Sequence, residues 1–308
     1  MTSLPPSPWI TPAELARHLT DSAESWLVLD ARFDLMDPAA GQRSFESGHV
    51  PGARYLHLEH DLARPRGPTD GRHPLPTREA AANRFAAAGV RHARTVVVMD
   101  ADNALYAARA WWMLRALGHR DVRVLSGGFA AWRRAGLPEE RGPATADVDG
   151  AHGDFVADDA APPGFATVDA AGLWTGVQSG DLLAIDVRAP ERYAGLVEPL
   201  DPVAGHIPGA RNLPYAALLA PDGTLLPPAR LRTCIRDVLG DTPPARAALY
   251  CGSGVTACAV HLAFLTAALD APAGDDAWRE SGAPLVYPGS WSEWCRLPGR
   301  PVATGTTP

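Results

Sequence analysis

The sequence predicts an α/β protein made of two copies of one domain, each a mostly parallel sheet flanked by helices. Two observations carry this expectation. Short apolar runs bounded by turn residues alternate with helical patterns, as in a parallel sheet with crossover helices. In addition, four segments occur twice, in the same order. Leu27-Val28-Leu29-Asp30-Ala31-Arg32 returns as Leu183-Ala184-Ile185-Asp186-Val187-Arg188, and Gly48-His49-Val50-Pro51-Gly52-Ala53-Arg54 as Gly205-His206-Ile207-Pro208-Gly209-Ala210-Arg211. Val96-Val97-Val98-Met99-Asp100 returns as Ala247-Ala248-Leu249-Tyr250-Cys251, and Gly127-Gly128-Phe129-Ala130-Ala131-Trp132 as Gly289-Ser290-Trp291-Ser292-Glu293-Trp294. The offset is nearly constant, which marks a duplicated domain and not a short-period solenoid. The 308 residues give room for two domains of ordinary size. The expected division is 1–145, a linker at 146–166 rich in Ala, Pro, Gly and Asp, and 167–308.

In the first copy the expected strands are Trp26–Leu29, Thr95–Met99 and Val122–Leu125. A helix is expected from Ala104 to Leu117, with Ala107, Ala110, Trp111, Leu114 and Leu117 at helical spacing and Gly118 as its stop. In the second copy the apolar run Ala247–Tyr250 ends at Cys251. A small, glycine-bearing loop follows, and then a helical pattern from Ala257 to Ala268. Sheets of this class build their sites where strands end and helices begin.

Composition narrows the function. Hydrophobic content of 46% and charged content of 20% are globular values. A formal net charge of -7 argues against nucleic acid or an anionic membrane as partner, so an anionic substrate would have to be attracted locally. Met1 to Ile10 lacks the pattern of a signal peptide, and no apolar run is as long as a membrane span. The four cysteines, Cys234, Cys251, Cys258 and Cys295, are irregularly spaced. They make neither a disulfide framework nor paired zinc ligands. The expectation is a cytoplasmic protein in a reducing compartment, with no metal.

The stretch from Leu249 to Ala257 carries the chemistry. It places a thiol at a strand–loop–helix turn. Backbone N–H groups of such a loop converge, and a helix N-terminus adds positive potential. Thiolate, the reactive form of cysteine, is favoured in such surroundings. Cys251 is therefore read as a nucleophile in a loop that stabilises negative charge. A cysteine phosphatase would place an arginine at position 257 to clamp the phosphoryl group, and this chain has Ala257.

Duplication separates scaffold from site. Asp30 and Asp186, Arg32 and Arg188, and His49 and His206 recur in both copies and read as structural. Trp111, Trp112, Trp132, Trp291 and Trp294 read as packing, and Cys258 as a core residue. Asp100 replaces Cys251 in the first copy. A carboxylate lacks the thiol's nucleophilic chemistry, and Asp100 with Asp102 would repel an anionic substrate.

Together these residues resemble the tandem-domain rhodanese-type sulfurtransferases. The resemblance rests on Asp-x-Arg and Gly-His-(Ile/Val)-Pro-Gly-Ala in both copies, on Gly127-Gly128-Phe129-x-x-Trp132, and on Cys251-Gly252-Ser253-Gly254-Val255-Thr256. It implies two rhodanese-like domains, the C-terminal one catalytic. It implies a persulfide on Cys251 held by Gly252, Ser253, Gly254, Val255 and Thr256, with no organic cofactor. The loop is similar to that of the 3-mercaptopyruvate branch, since thiosulfate-using relatives carry Arg-Lys where this chain has Gly252-Ser253. Arg192 is implied to hold the donor's anionic group. Ser253 and His73 match a Ser–His–acid relay, with Glu59 the best-aligned acid and Asp61 beside it. A loop histidine without a chemical role is the other reading of His73. Leu200 follows Glu198-Pro199 where mercaptopyruvate relatives carry a second arginine. The implied acceptor is a thiol or cyanide, thioredoxin among the thiols. Two other readings stand beside this one: a thiosulfate:cyanide sulfurtransferase, and a non-catalytic interaction module.

Overall fold

The computed structural model describes residues 7–143, 152–269 and 282–308. The chain forms two compact units. One comprises Met1–Arg64, Leu75–Pro162 and Pro221–Thr224; the other comprises Pro65–Pro74, Pro163–Ala220 and Leu225–Pro308.

The first unit is built on strands β1 (Trp9–Ile10), β2 (Trp26–Asp30), β3 (Arg54–Tyr55), β4 (Thr95–Met99) and β5 (Val122–Leu125), in the order β1-β5-β4-β2-β3. The second is built on β6 (Leu183–Asp186), β7 (Arg211–Asn212), β8 (Ala247–Tyr250) and β9 (Leu285–Val286), in the order β7-β6-β8-β9. Every paired neighbour runs parallel. A parallel bridge between Thr167 and Val286 stands where β1 stands in the first unit. The α/β class with two parallel sheets flanked by helices is as the sequence predicts.

The central strands β4 and β8 read as near-continuous apolar runs because both faces of the sheet are covered. Val96 to Met99 and Ala247 to Tyr250 are all fully buried. The helices behind them are buried almost all round, Ala107–Ala116 in the first unit and Thr256–Leu269 in the second. The first helix begins at Ala107 and not at Ala104. Ala104 has a φ of 61°, and the N–H groups of Ala104, Tyr106 and Ala107 all donate to the Asp100 carboxylate. The residues expected to open the helix belong instead to the loop before it.

The shared residues form the same scaffold twice. Arg32 forks onto Asp30 at 2.7 Å, and Arg188 onto Asp186 at 2.6 Å. Their guanidinium groups lie over Phe129 and Trp291, respectively. His49 Nδ1 bonds the Phe45 carbonyl and stacks on its ring, and His206 does the same with Tyr193. Of the expected linker, residues 146–151 lie outside the described residues. Phe155 is buried in the first unit and Phe165 in the second. Residues 65–74, early in the sequence, cluster with the second unit for a reason that lies at the candidate site.

Candidate active site

Strand β8 delivers Cys251 to the C-terminal edge of the second sheet, and the helix Thr256–Leu269 starts after four intervening loop residues. Cys251 and the loop residues Gly252, Ser253, Gly254 and Val255 are buried. Cys251 is only 2% exposed, so a reacting sulfur here is largely shielded from water. The Gly254 N–H donates to Cys251 Sγ at 3.1 Å. Gly254 has a φ of 79°, and a Cβ there would stand 2.4 Å from the Pro288 carbonyl oxygen. Only glycine allows that N–H to point at the sulfur.

The short helix Ser290–Trp294 braces the loop from the other side. The Cys251 N–H donates to Ser290 Oγ at 3.1 Å, and the Ser290 hydroxyl donates to the Tyr287 carbonyl. The N–H groups of Trp291 and Ser292 donate to the Cys251 and Gly252 carbonyls, each at 2.9 Å. Ser290 adopts a φ of 54°, an uncommon conformation for a residue with a side chain. Such outliers concentrate at functional sites. Motif reading passed over Ser290, although its place against Gly128 in the first copy was a visible difference.

Segment 65–74 brings His73 to the loop. His73 is buried, and its Nδ1 lies 2.8 Å from Ser253 Oγ. Ser253 and His73, taken from distant parts of the sequence, are thus one hydrogen-bonded pair beside Cys251. Glu59 belongs to the first unit, where it is exposed and its N–H donates to His57 Nδ1. Asp61, in the same unit, accepts from the His57 N–H.

Arg192 sits on the short helix Pro190–Tyr193 and is held by Glu198, its Nη2 2.7 Å from Glu198 Oε1. Glu198 also takes Arg188, and its Oε1 accepts the N–H groups of Leu200 and Asp201. Asp201, with a fully buried side chain, pairs with Arg72 at 2.8 Å, Arg296 at 3.2 Å and Arg192 at 3.5 Å. A Cβ on Gly252 would stand 3.4 Å from Arg192 Nη1 and 3.6 Å from Arg72 Nη1. Sequence reasoning found Arg192 but missed Arg72, Arg296 and Asp201. The available signal was the position of Arg72 next to His73.

This cluster of four arginines and three buried carboxylates carries one net positive charge beside the thiol. Chemically, the arrangement offers a nucleophile, an N–H donor for a sulfur anion, a Ser–His pair able to move a proton, and a local attraction for an anion. Burial pushes the Cys295 thiol up, away from the reactive form. Cys258 is buried and donates to the Gly254 carbonyl. Among the described residues, no group of three or more His, Cys, Asp or Glu could hold a metal ion.

Known proteins share this organisation. The rhodanese-like domain family matches residues 11–135 and again 169–297. A probable 3-mercaptopyruvate sulfurtransferase of Pseudomonas aeruginosa is 41% identical over 298 residues, covering 96% of this chain and 98% of the relative. A Mycobacterium tuberculosis protein, provisionally named a thiosulfate sulfurtransferase, is 40% identical over 300 residues, covering 96% and 97% of the two chains. Among solved structures, a 3-mercaptopyruvate sulfurtransferase from Leishmania major superposes with a TM-score of 0.78 at 29% identity. That match covers 97% of this chain and 77% of the other.

Proposed function

We propose a function from one premise: the chain belongs to the rhodanese-like family and is a sulfurtransferase. Its sulfur donor is 3-mercaptopyruvate, its nucleophile is Cys251, and its acceptor is a thiol or cyanide. The 167–308 copy carries the chemistry, and the 1–145 copy is non-catalytic. The observation that carries the donor assignment is the buried Ser253–His73 hydrogen bond beside the thiol loop. A mercaptan donor carries a proton on the sulfur it gives up, whereas thiosulfate does not.

The Cys251 thiolate attacks the donor sulfur. The new S–S bond forms as the donor's C–S bond breaks, and that electron pair leaves on carbon as the enolate of pyruvate. The proton of the donor thiol passes through Ser253 and His73 to the pyruvate carbon. What remains is the persulfide Cys251-S-S⁻, for which Gly252, Ser253, Gly254, Val255 and Thr256 provide the binding loop. Arg192, its Nε and Nη2 fixed by Glu198, donates to the donor carboxylate from its Nη1 end. The acceptor's electron pair then bonds the outer sulfur, the S–S bond breaks, and Cys251 leaves as thiolate. No metal or organic cofactor enters these steps.

The charge of the arginine cluster points the same way. Its one net positive charge offsets the Cys251 thiolate, so a donor with one negative charge is repelled less than thiosulfate with two. The name of the M. tuberculosis relative favours thiosulfate as a second reading. Glu59 is proposed as the acid of the relay. Among the described residues, no helix is long and apolar enough to cross a membrane, and none of the four cysteines is in a disulfide. A cytoplasmic location and thioredoxin as thiol acceptor complete the proposal. The test compares the two donors at matched concentration, by kcat/KM and by intact mass. One added sulfur on Cys251 and a higher kcat/KM for mercaptopyruvate are expected. A higher value for thiosulfate overturns the donor, and no added sulfur from either donor overturns the mechanism.

A further inference from the structure

Two guanidinium groups converge on the residue after the nucleophile. Arg192 commits Nε and Nη2 to Glu198, and Arg72 commits Nη2 to Asp201. The Nη1 of each is turned toward Gly252. We propose that Arg72 is the second arginine for the donor's carboxylate, acting together with Arg192. The inference rests on the mercaptopyruvate reading given above and deepens it.

Three observations support a binding role over a purely structural ion pair. First, Asp201 has further cationic partners in Arg296 and Arg192, so neutralising it does not require Arg72. Second, the Arg72 side chain is 17% exposed and that of Arg192 is 19%, against 0% for Asp201. The two cations reach solvent, where a solute can meet them, and their carboxylates do not. Third, the backbone under Arg72 is locked to the loop it serves. Its N–H donates to Ser292 Oγ at 2.8 Å, and the Ser292 N–H donates to the Gly252 carbonyl. One residue earlier, a Cβ on Gly71 would stand 2.5 Å from the Gly289 carbonyl oxygen, so this close approach requires glycine. A preorganised arginine loses little freedom when it binds, and N–H donors from two guanidinium groups on one carboxylate fix its orientation.

The test uses the full-length protein and two donors, 3-mercaptopyruvate and mercaptoacetone, which keeps the thiol and ketone but lacks the carboxylate. Arg72→Met is expected to raise the KM for mercaptopyruvate by about 10- to 100-fold, the scale of one charge-assisted hydrogen bond. Its kcat/KM for mercaptoacetone should stay within about twofold of wild type, a separation that general loss of structure would not give. Adding Leu200→Arg, whose position neighbours Glu198 and Asp201, should recover part of the lost affinity. Should Arg72→Met not fold, Arg72→Lys keeps the charge facing Asp201 and loses the fork, and a KM raised at least about fivefold is expected. A mercaptopyruvate KM within twofold of wild type in the folded variant, or equal losses for both donors, overturns the inference. A wild type that turns over thiosulfate but not mercaptopyruvate overturns the donor assignment itself, and this inference with it.

Discussion

The loop after β4 and the loop after β8 hold the same place in two copies of one sheet, yet they satisfy their backbone in opposite ways. In the first, the Asp100 carboxylate accepts the N–H groups of Ala104, Tyr106 and Ala107 at 2.8 to 3.1 Å. In the second, Cys251 Sγ stands at the strand end and takes the N–H of Gly254. The fold supplies a cradle for negative charge in both copies. The first fills it with its own side chain, while the second presents an atom that can change its bonds. The facing helices differ to match. Gly128 in the first copy has no room for a side chain, since a Cβ would stand 2.6 Å from the Asp100 carbonyl oxygen and 2.7 Å from the Asp102 nitrogen. At the equivalent place Ser290 fits, and its hydroxyl holds the Cys251 N–H.

The strongest test of this contrast removes the atom that distinguishes the loops. Cys251→Ser should reduce turnover to the rate without enzyme and abolish the mass gain of one sulfur on incubation with donor. Activity near wild type would show that another thiol does the work. Next in size is the proton path. Ser253→Ala or His73→Asn should lower mercaptopyruvate kcat by about 10²- to 10⁴-fold, the scale of general acid–base catalysis. Thiosulfate turnover should fall much less. Equal losses for both donors would reduce the pair to a structural role.

The contrast between the braces predicts an asymmetry in stability. Gly128→Ser should destabilise the protein by on the order of 3 kcal/mol, because backbone atoms occupy the space the side chain needs. Ser290→Gly, which relieves a positive φ but loses the two hydrogen bonds of the Ser290 hydroxyl, should change stability by only about 1 kcal/mol. Chemical denaturation of the two variants gives both numbers, and similar values would refute the difference in space.

A pH slope spread over about two pH units is the most gradual of the predicted effects. Burial pushes the Asp100 carboxyl up to about 6, from an ordinary value of 3.8, despite its three N–H donors. The folded state therefore binds this proton more tightly than the unfolded state. The stability tied to it is complete below about pH 4 and is lost as the pH rises through 6. The size is roughly 3 kcal/mol for a shift of this extent in a fully buried group. Compared with Asp100→Asn, the wild type should lose stability more steeply between pH 4 and 6. Parallel stability profiles would show that the carboxylate is well solvated by its N–H donors. Mercaptopyruvate turnover at saturation should be unchanged in Asp100→Asn, as expected of a loop without chemistry.

Periodicity and repetition determined much of this protein from sequence alone. The mostly apolar runs 95–99, 122–125 and 247–250 are strands within those bounds, because strands buried on both faces are near-continuously apolar. Duplication singled out Cys251 against Asp100, and it separated the shared Asp–Arg and Gly-His scaffold from the residues peculiar to the second copy. The helix expected from Ala104 was misjudged because alanine favours a helix locally, while the Asp100 carboxylate competes for the same N–H groups. What only the tertiary structure decided is which distant residues meet. Nothing local marks Asp201 as the anchor of three arginines or Ser290 as the acceptor for the Cys251 N–H, and only its place next to His73 hints that Arg72 lies by Gly252. Segment 65–74 joins the second unit through Gly71, Arg72 and His73, by contacts with residues more than a hundred positions away. Periodicity reports which face of an element is buried. It carries no record of what is buried against it, and the chemistry of this site depends on that pairing.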